Sequence, residues 1–114
     1  MRIAVVGTGS IGRRHIGNLL RLGYDDVLAV SEKTKIQTLE VGSRNIPVVN
    51  DIDAALHSTV DIMFICNPTG LHFQYLEKAI EAGKHVFVEK PVGSMMGDFT
   101  SLRKQSEKKK LIIA

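Results

Sequence analysis

Residues 1–12 read MRIAVVGTGSIG, an apolar run that passes directly into a G-x-G-x-x-G spacing at Gly7, Gly9 and Gly12. Arg2 to Val6 has the β-branched, almost uncharged composition of a buried strand. From Ser10 onward, Ile11, Ile16, Leu19 and Leu20 recur on one side of a helix. Glycines at this spacing are weak evidence alone, because loops gather glycine for many reasons. A strand, a glycine turn and a helix in this order are what a dinucleotide-binding βαβ unit requires.

Each glycine has a separate task in such a unit. Gly7 permits the tight turn out of the strand, Gly9 lets the backbone approach a pyrophosphate, and Gly12 allows helix and strand to pack closely. The amides around Ser10 and Ile11 then face the phosphates with the positive end of the helix dipole behind them.

A second strand, Asp26 to Ser31, leads to Glu32, which lies 20 residues past Gly12. An acid at that distance accepts from both hydroxyls of the adenosine ribose and repels a 2′-phosphate, so Glu32 favours NAD over NADP. Lys33 and Lys35 pull the other way, since a lysine beside the ribose pairs with a 2′-phosphate. The alternative for Glu32 is an exposed acid at a strand end.

Farther along, the pattern predicts a helix over Thr34 to Val41, a short strand over Ile46 to Val49, and Asn50 and Asp51 as caps of a brief helix from Ile52 to Leu56. Val60 to Cys66 reads as an apolar strand ended by Asn67-Pro68-Thr69-Gly70. Leu71 to Ala82 reads as a helix, with Leu76, Ala79 and Ile80 at helical spacing and Gly83 as its C′ residue. A strand at His85 to Val88, a helix at Asp98 to Lys109 and a last strand from Leu111 to Ile113 complete the series. Such alternation calls for an α/β fold, a doubly wound parallel sheet of the Rossmann type. The expected strand order is 3-2-1-4-5-6, with the ligand crevice at the carboxyl ends of the first and fourth strands.

At 114 residues the chain reads as one domain, 1–114. With 44% hydrophobic and 24% charged residues, neither disorder nor a membrane span is expected. Met1-Arg2 runs straight into the first strand without a targeting peptide, which makes the cytoplasm the expected location. The single cysteine, Cys66, excludes an intrachain disulfide and reads as a small buried hydrophobe rather than a nucleophile. Net charge is +3, and the Lys108-Lys109-Lys110 triplet reads as a solvated helix end. With two tyrosines, four phenylalanines and no tryptophan, the chain lacks the aromatic-studded basic face of a nucleic-acid binder. His15, His57 and His85 read as structural, and no cluster of His, Cys, Asp and Glu has metal-ligand spacing, so no metal is expected.

Three blocks resemble the N-terminal domain of the Gfo/Idh/MocA oxidoreductases. Gly7 to Gly12 with Arg14-His15 is similar to the family's opening turn, and Cys66-Asn-Pro-Thr-Gly-Leu-His72 to the end of its fourth strand. Ala82-Gly-Lys-His-Val-Phe-Val-Glu-Lys-Pro91 is similar to its A-G-K-H-V-x-x-E-K-P block, the most specific of the three.

The resemblance implies binding of NAD or NADP and hydride transfer to or from a carbon of a sugar, nucleotide sugar or cyclitol. It places Asn67, Pro68, Thr69 and His72 along the cofactor crevice, and Glu89, Lys90 and Pro91 beside the nicotinamide. Asn67-Pro68 also suits a plain strand-ending turn, and His72 also suits a capping or packing role. Lys90 is the implied catalytic residue, orienting the reacting oxygen and helping to take its proton. Full-length relatives continue into a C-terminal α/β substrate domain that does not follow Ala114, so the chain alone is expected to be incomplete for catalysis. Two functional classes lead: the cofactor half of a dehydrogenase, or a stand-alone dinucleotide-binding sensor or subunit, oligomeric or completed by a partner chain. A remnant that folds and binds nothing is a third, against which the intact glycines, Glu32 and the Glu89-Lys90-Pro91 block argue.

Overall fold

The computed structural model describes residues 1–32, 34–66, 72–88 and 99–112, and for residues 72–73 and 99–103 the backbone alone. The first unit is strand β1 (Ile3–Val6), helix α1 (Ser10–Arg21) and strand β2 (Val27–Val30). There follow β3 (Thr38–Val41), β4 (Arg44–Val49), α2 (Ile52–Leu56), β5 (Ile62–Ile65), α3 (His72–Glu81), β6 (His85–Val88) and α4 (Phe99–Lys108). These strands form one sheet in the order β3-β4-β2-β1-β5-β6.

All pairs are parallel except β3 with β4. With the sequence-expected strands matched to β1, β2, β4, β5 and β6, the first five follow the expected doubly wound order 3-2-1-4-5, and β3 adds an unexpected antiparallel edge beside β4.

Strand composition follows from burial on both faces. In β1, Ile3 and Val5 enter the core under α1, while Ala4 and Val6 enter the core under α2 and α3. All four residues are buried, which is why the strand is apolar throughout rather than alternating. β5 and β6 are less evenly covered. Met63, Ile65, Val86 and Val88 are buried toward α2 and α3, whereas Phe64 and Phe87 are half-buried on the other face. There the two phenyl rings stack at 4.9 Å, and His15 of α1 meets both edge-on at 5.6 and 5.3 Å. His15 is thus placed in ring packing, as its structural reading expects.

The expected helix over Thr34 to Val41 is corrected to a strand. Thr38–Val41 pairs antiparallel with β4, Leu39 opposite Ile46 and Val41 opposite Arg44. Only Gly42 of the two connecting residues has positive φ, at 60°, the pattern of a type II′ hairpin turn. Ile36 and Leu39 share a helical spacing, but the β-branched Thr38 and Val41 around a buried Leu39, followed by Gly-Ser, satisfy the hairpin better. Residues 34–36 lie in no helix or strand.

Leu111 and Ile112 also lie in no strand, although the Ile112 carbonyl accepts from the Val86 amide at 2.9 Å beside β6. The lysine triplet is more than a solvated end. Lys109 Nζ donates to the carbonyls of Ile80 and Glu81, at 3.2 and 2.8 Å, and so caps the C-terminus of α3. Among the described residues no helix is long and apolar enough to cross a membrane.

Candidate functional site

Hydrogen bonds continue past the paired strands and draw their carboxyl ends together. The Gly7 amide donates to Val30, Cys66 to Val6 and Ser31 to Val49, at 2.9, 2.9 and 3.0 Å. The glycine turn, Glu32 and the start of α2 therefore share one edge of the sheet.

At that edge α1 begins bare. Gly9 is its N-cap and supplies no side-chain cap, and the first turn holds no acidic residue. Ser10 and Ile11 are exposed, so the positive helix end is open to an anion. Among the described residues a Cβ at Gly9 would meet nothing within 4 Å. A Cβ at Gly12, by contrast, would sit 2.1 Å from the Gly7 carbonyl oxygen and 2.9 Å from its carbon. Gly7 itself turns the chain at φ 112°, a region that L side chains rarely adopt. Gly12 is thus a packing glycine, and the space beside Gly9 is open among the described residues.

Glu32 follows Ser31 at the end of β2 and is exposed. Its Oε1 accepts from the Tyr75 hydroxyl of α3 at 2.5 Å, and its Oε2 from the Ile52 amide of α2 at 3.3 Å. Burial, then the hydrogen bond and the negative charge of Glu32, push the Tyr75 phenol up to about 12. The phenol consequently remains a donor throughout the neutral range.

The Asn50 side-chain amide faces three carbonyls of the loop after β2, Ser31 at 3.1 Å, Thr34 at 2.8 Å and Ile36 at 3.2 Å. Asp51, not Asn50, caps α2 by accepting from the Asp53 amide at 3.0 Å. Asn50 instead ties the loop that carries Glu32 to the end of β4. On the other side of the turn, Arg13 Nε donates to the Thr8 carbonyl at 3.1 Å.

Gly7, Gly9, Ser10, Ile11, Gly12 and Glu32 are therefore together at the carboxyl edge. Asn67, Pro68, Thr69, Glu89, Lys90 and Pro91, like Lys33, lie outside the described residues. His72 opens α3, and its side chain lies outside them as well. Sequence reasoning missed Tyr75 and gave Asn50 the wrong task. The only signal for Tyr75 was a phenol beside Leu76 in an amphipathic helix, which ordinary core packing explains equally well.

Residues 1–114 match the Gfo/Idh/MocA family model, an oxidoreductase family with an NAD-binding Rossmann fold. The oxidoreductase YrbE of Bacillus subtilis is 34% identical over 91 residues, covering 77% of this chain and 27% of that protein. Inositol 2-dehydrogenase 3 of Saccharopolyspora erythraea is 32% identical over 103 residues, covering 86% of this chain and 30% of its own length. Among solved structures, the WlbA dehydrogenase of Chromobacterium violaceum in complex with NADH and UDP-GlcNAcA superimposes with a TM-score of 0.77 at 25% identity. That match covers 99% of this chain and 34% of that one. The chain thus spans about a third or less of the length of these relatives.

Proposed function

Because the chain belongs to the Gfo/Idh/MocA oxidoreductase family and carries its NAD-binding Rossmann fold, we propose that residues 1–114 form the cofactor half of an NAD-preferring dehydrogenase. Its substrate class would be a sugar, nucleotide sugar or cyclitol. An inositol dehydrogenase and a dehydrogenase bound to a UDP-sugar are among the relatives, which supports that class.

The observation that carries the proposal is the bare N-terminus of α1 with open space at Gly9. A pyrophosphate there would accept from the Ser10, Ile11 and Gly12 amides, and no acidic side chain of the first turn would oppose it. Glu32 would accept from the ribose diol. Asn67, Pro68, Thr69 and His72 would line the crevice, and Glu89 and Pro91 would flank the nicotinamide. Bound in that position, the nicotinamide would accept or return the hydride. Lys90 would orient the reacting oxygen and hold its proton. These residues span about a third or less of the length of the relatives they match, and turnover by them alone would be poor.

Calorimetric titration of the 114-residue chain with NADH and NADPH in parallel, at fixed salt, tests the reading. Micromolar binding with NADH favoured is expected. Absence of binding by either nucleotide refutes the cofactor role, and turnover of a polyol panel at ordinary enzyme rates refutes the claim that residues 1–114 are only half an enzyme.

A further inference from the structure

We propose that Tyr75 is a positioning residue for cofactor selection, holding the Glu32 carboxylate in the orientation that accepts a ribose diol and rejects a 2′-phosphate. The inference rests on the assignment of Glu32 to the ribose. Its own basis is the contact between two residues 43 positions apart, made at 2.5 Å, together with the Ile52 amide on the other carboxylate oxygen.

An exposed glutamate ordinarily samples many rotamers. Here each oxygen is engaged by one donor, and the donors come from different helices, α3 and α2. A carboxylate offers about four lone-pair sites, so one remains on each oxygen. Two acceptors side by side suit two vicinal hydroxyls. The same fixed charge opposes a 2′-phosphate, which carries roughly −1.5 to −2 at neutral pH by analogy with other phosphomonoesters.

Among the described residues, Glu32 without the phenol keeps only the longer amide contact at 3.3 Å. It would then be free to turn toward solvent, leaving the exposed Lys35 in the same loop to draw a 2′-phosphate without an opposing anion. Asn50 holds the loop's backbone but does not touch the carboxylate in any of its three contacts. The orienting role therefore falls to Tyr75.

The test compares the full 114-residue chain with Tyr75→Phe, Glu32→Ala and the double variant, titrating each with NADH and NADPH and recording its melting temperature. Tyr75→Phe is expected to weaken NADH by about threefold to tenfold, the range for loss of one hydrogen bond, and to lower the NADH-to-NADPH preference by a similar factor. Glu32→Ala lowers that preference further, and the double variant matches Glu32→Ala because the two residues act as a unit. If Glu32→Ala shifts the preference and Tyr75→Phe does not, the positioning role is overturned while the ribose assignment survives. A lower melting temperature in Tyr75→Phe with unchanged preference overturns it in the same way. If Glu32→Ala leaves the preference unchanged, both assignments fall.

Discussion

Replacing Gly12 with alanine asks whether the glycine turn is held by close backbone packing. The added Cβ would lie 2.1 Å from the Gly7 carbonyl oxygen, about 0.9 Å inside the 3.0 Å that real Cβ atoms respect. The obstacle is backbone, so no rotamer change relieves it, and α1 must move off β1 or the Gly7 turn must open. Overpacking of this kind costs about 1 to 3 kcal/mol. The helix propensity of alanine returns up to about 1 kcal/mol, so with the 2.1 Å backbone clash at the upper end of that range the net loss reaches about 2 kcal/mol, or about 8 °C in Tm for a domain of this size. Gly17→Ala is the matched control on the same helix, because its Cβ would lie 3.8 Å from Val41 Cγ1, an ordinary contact. There the propensity gain of up to about 1 kcal/mol stands alone. Thermal and urea unfolding of both variants should therefore shift in opposite directions. Equal stability of the two variants, or a Gly12→Ala variant as stable as the parent, would refute the packing argument.

Gly9→Ser should separate stability from binding: serine caps a helix better than glycine by a few tenths of a kcal/mol, yet its side chain would fill the open space at the helix end, so Tm is held or slightly raised while NADH affinity falls in calorimetry. Lys110 ends α4 at φ 58°, donating to Glu107 as its neighbour Leu111 donates to Ser106, the position at which Gly83 ends α3. Lys110→Gly should relieve left-handed strain and stabilise the chain by roughly 0.5 to 1 kcal/mol, read by urea unfolding. The Tyr75 phenol, raised from 10.0 to about 12, contributes stability that is fully present below pH 10 and is lost as pH rises toward 12. Unfolding of the parent and of Tyr75→Phe across that window should converge at its upper end.

The parallel core was legible because strands buried on both faces are apolar throughout, as Ile3–Val6 and Val27–Val30 are. Gly83 marked the end of α3 for an equally local reason, the left-handed turn with its 78° φ. Residues 34–41 were misread because Ile36 and Leu39 fit a helix as well as a strand over so short a run, and what decides between them is pairing with Ile46 and Val41's turn to Arg44. The task of Lys109 was hidden for a related reason. Its partners are the carbonyls of Ile80 and Glu81, 29 and 28 residues away, and no local pattern encodes them.

The candidate site divides along the same line. Everything proposed to meet the pyrophosphate lies within Gly7 to Gly12, where turn, helix start and packing glycine are fixed by six consecutive residues. That part of the signal is therefore local, a glycine spacing read with the strand before it and the helix after it. The proposed selection at the ribose would rest on Glu32, the Ile52 amide and Tyr75, which lie apart in the sequence and meet only once the sheet has formed. On the proposed reading, affinity for a dinucleotide would be largely a local property of this chain, and discrimination between dinucleotides a tertiary one. It follows that substitutions on α3 far from the glycine turn should alter which cofactor is preferred without abolishing binding, whereas substitutions within the turn should weaken both cofactors together.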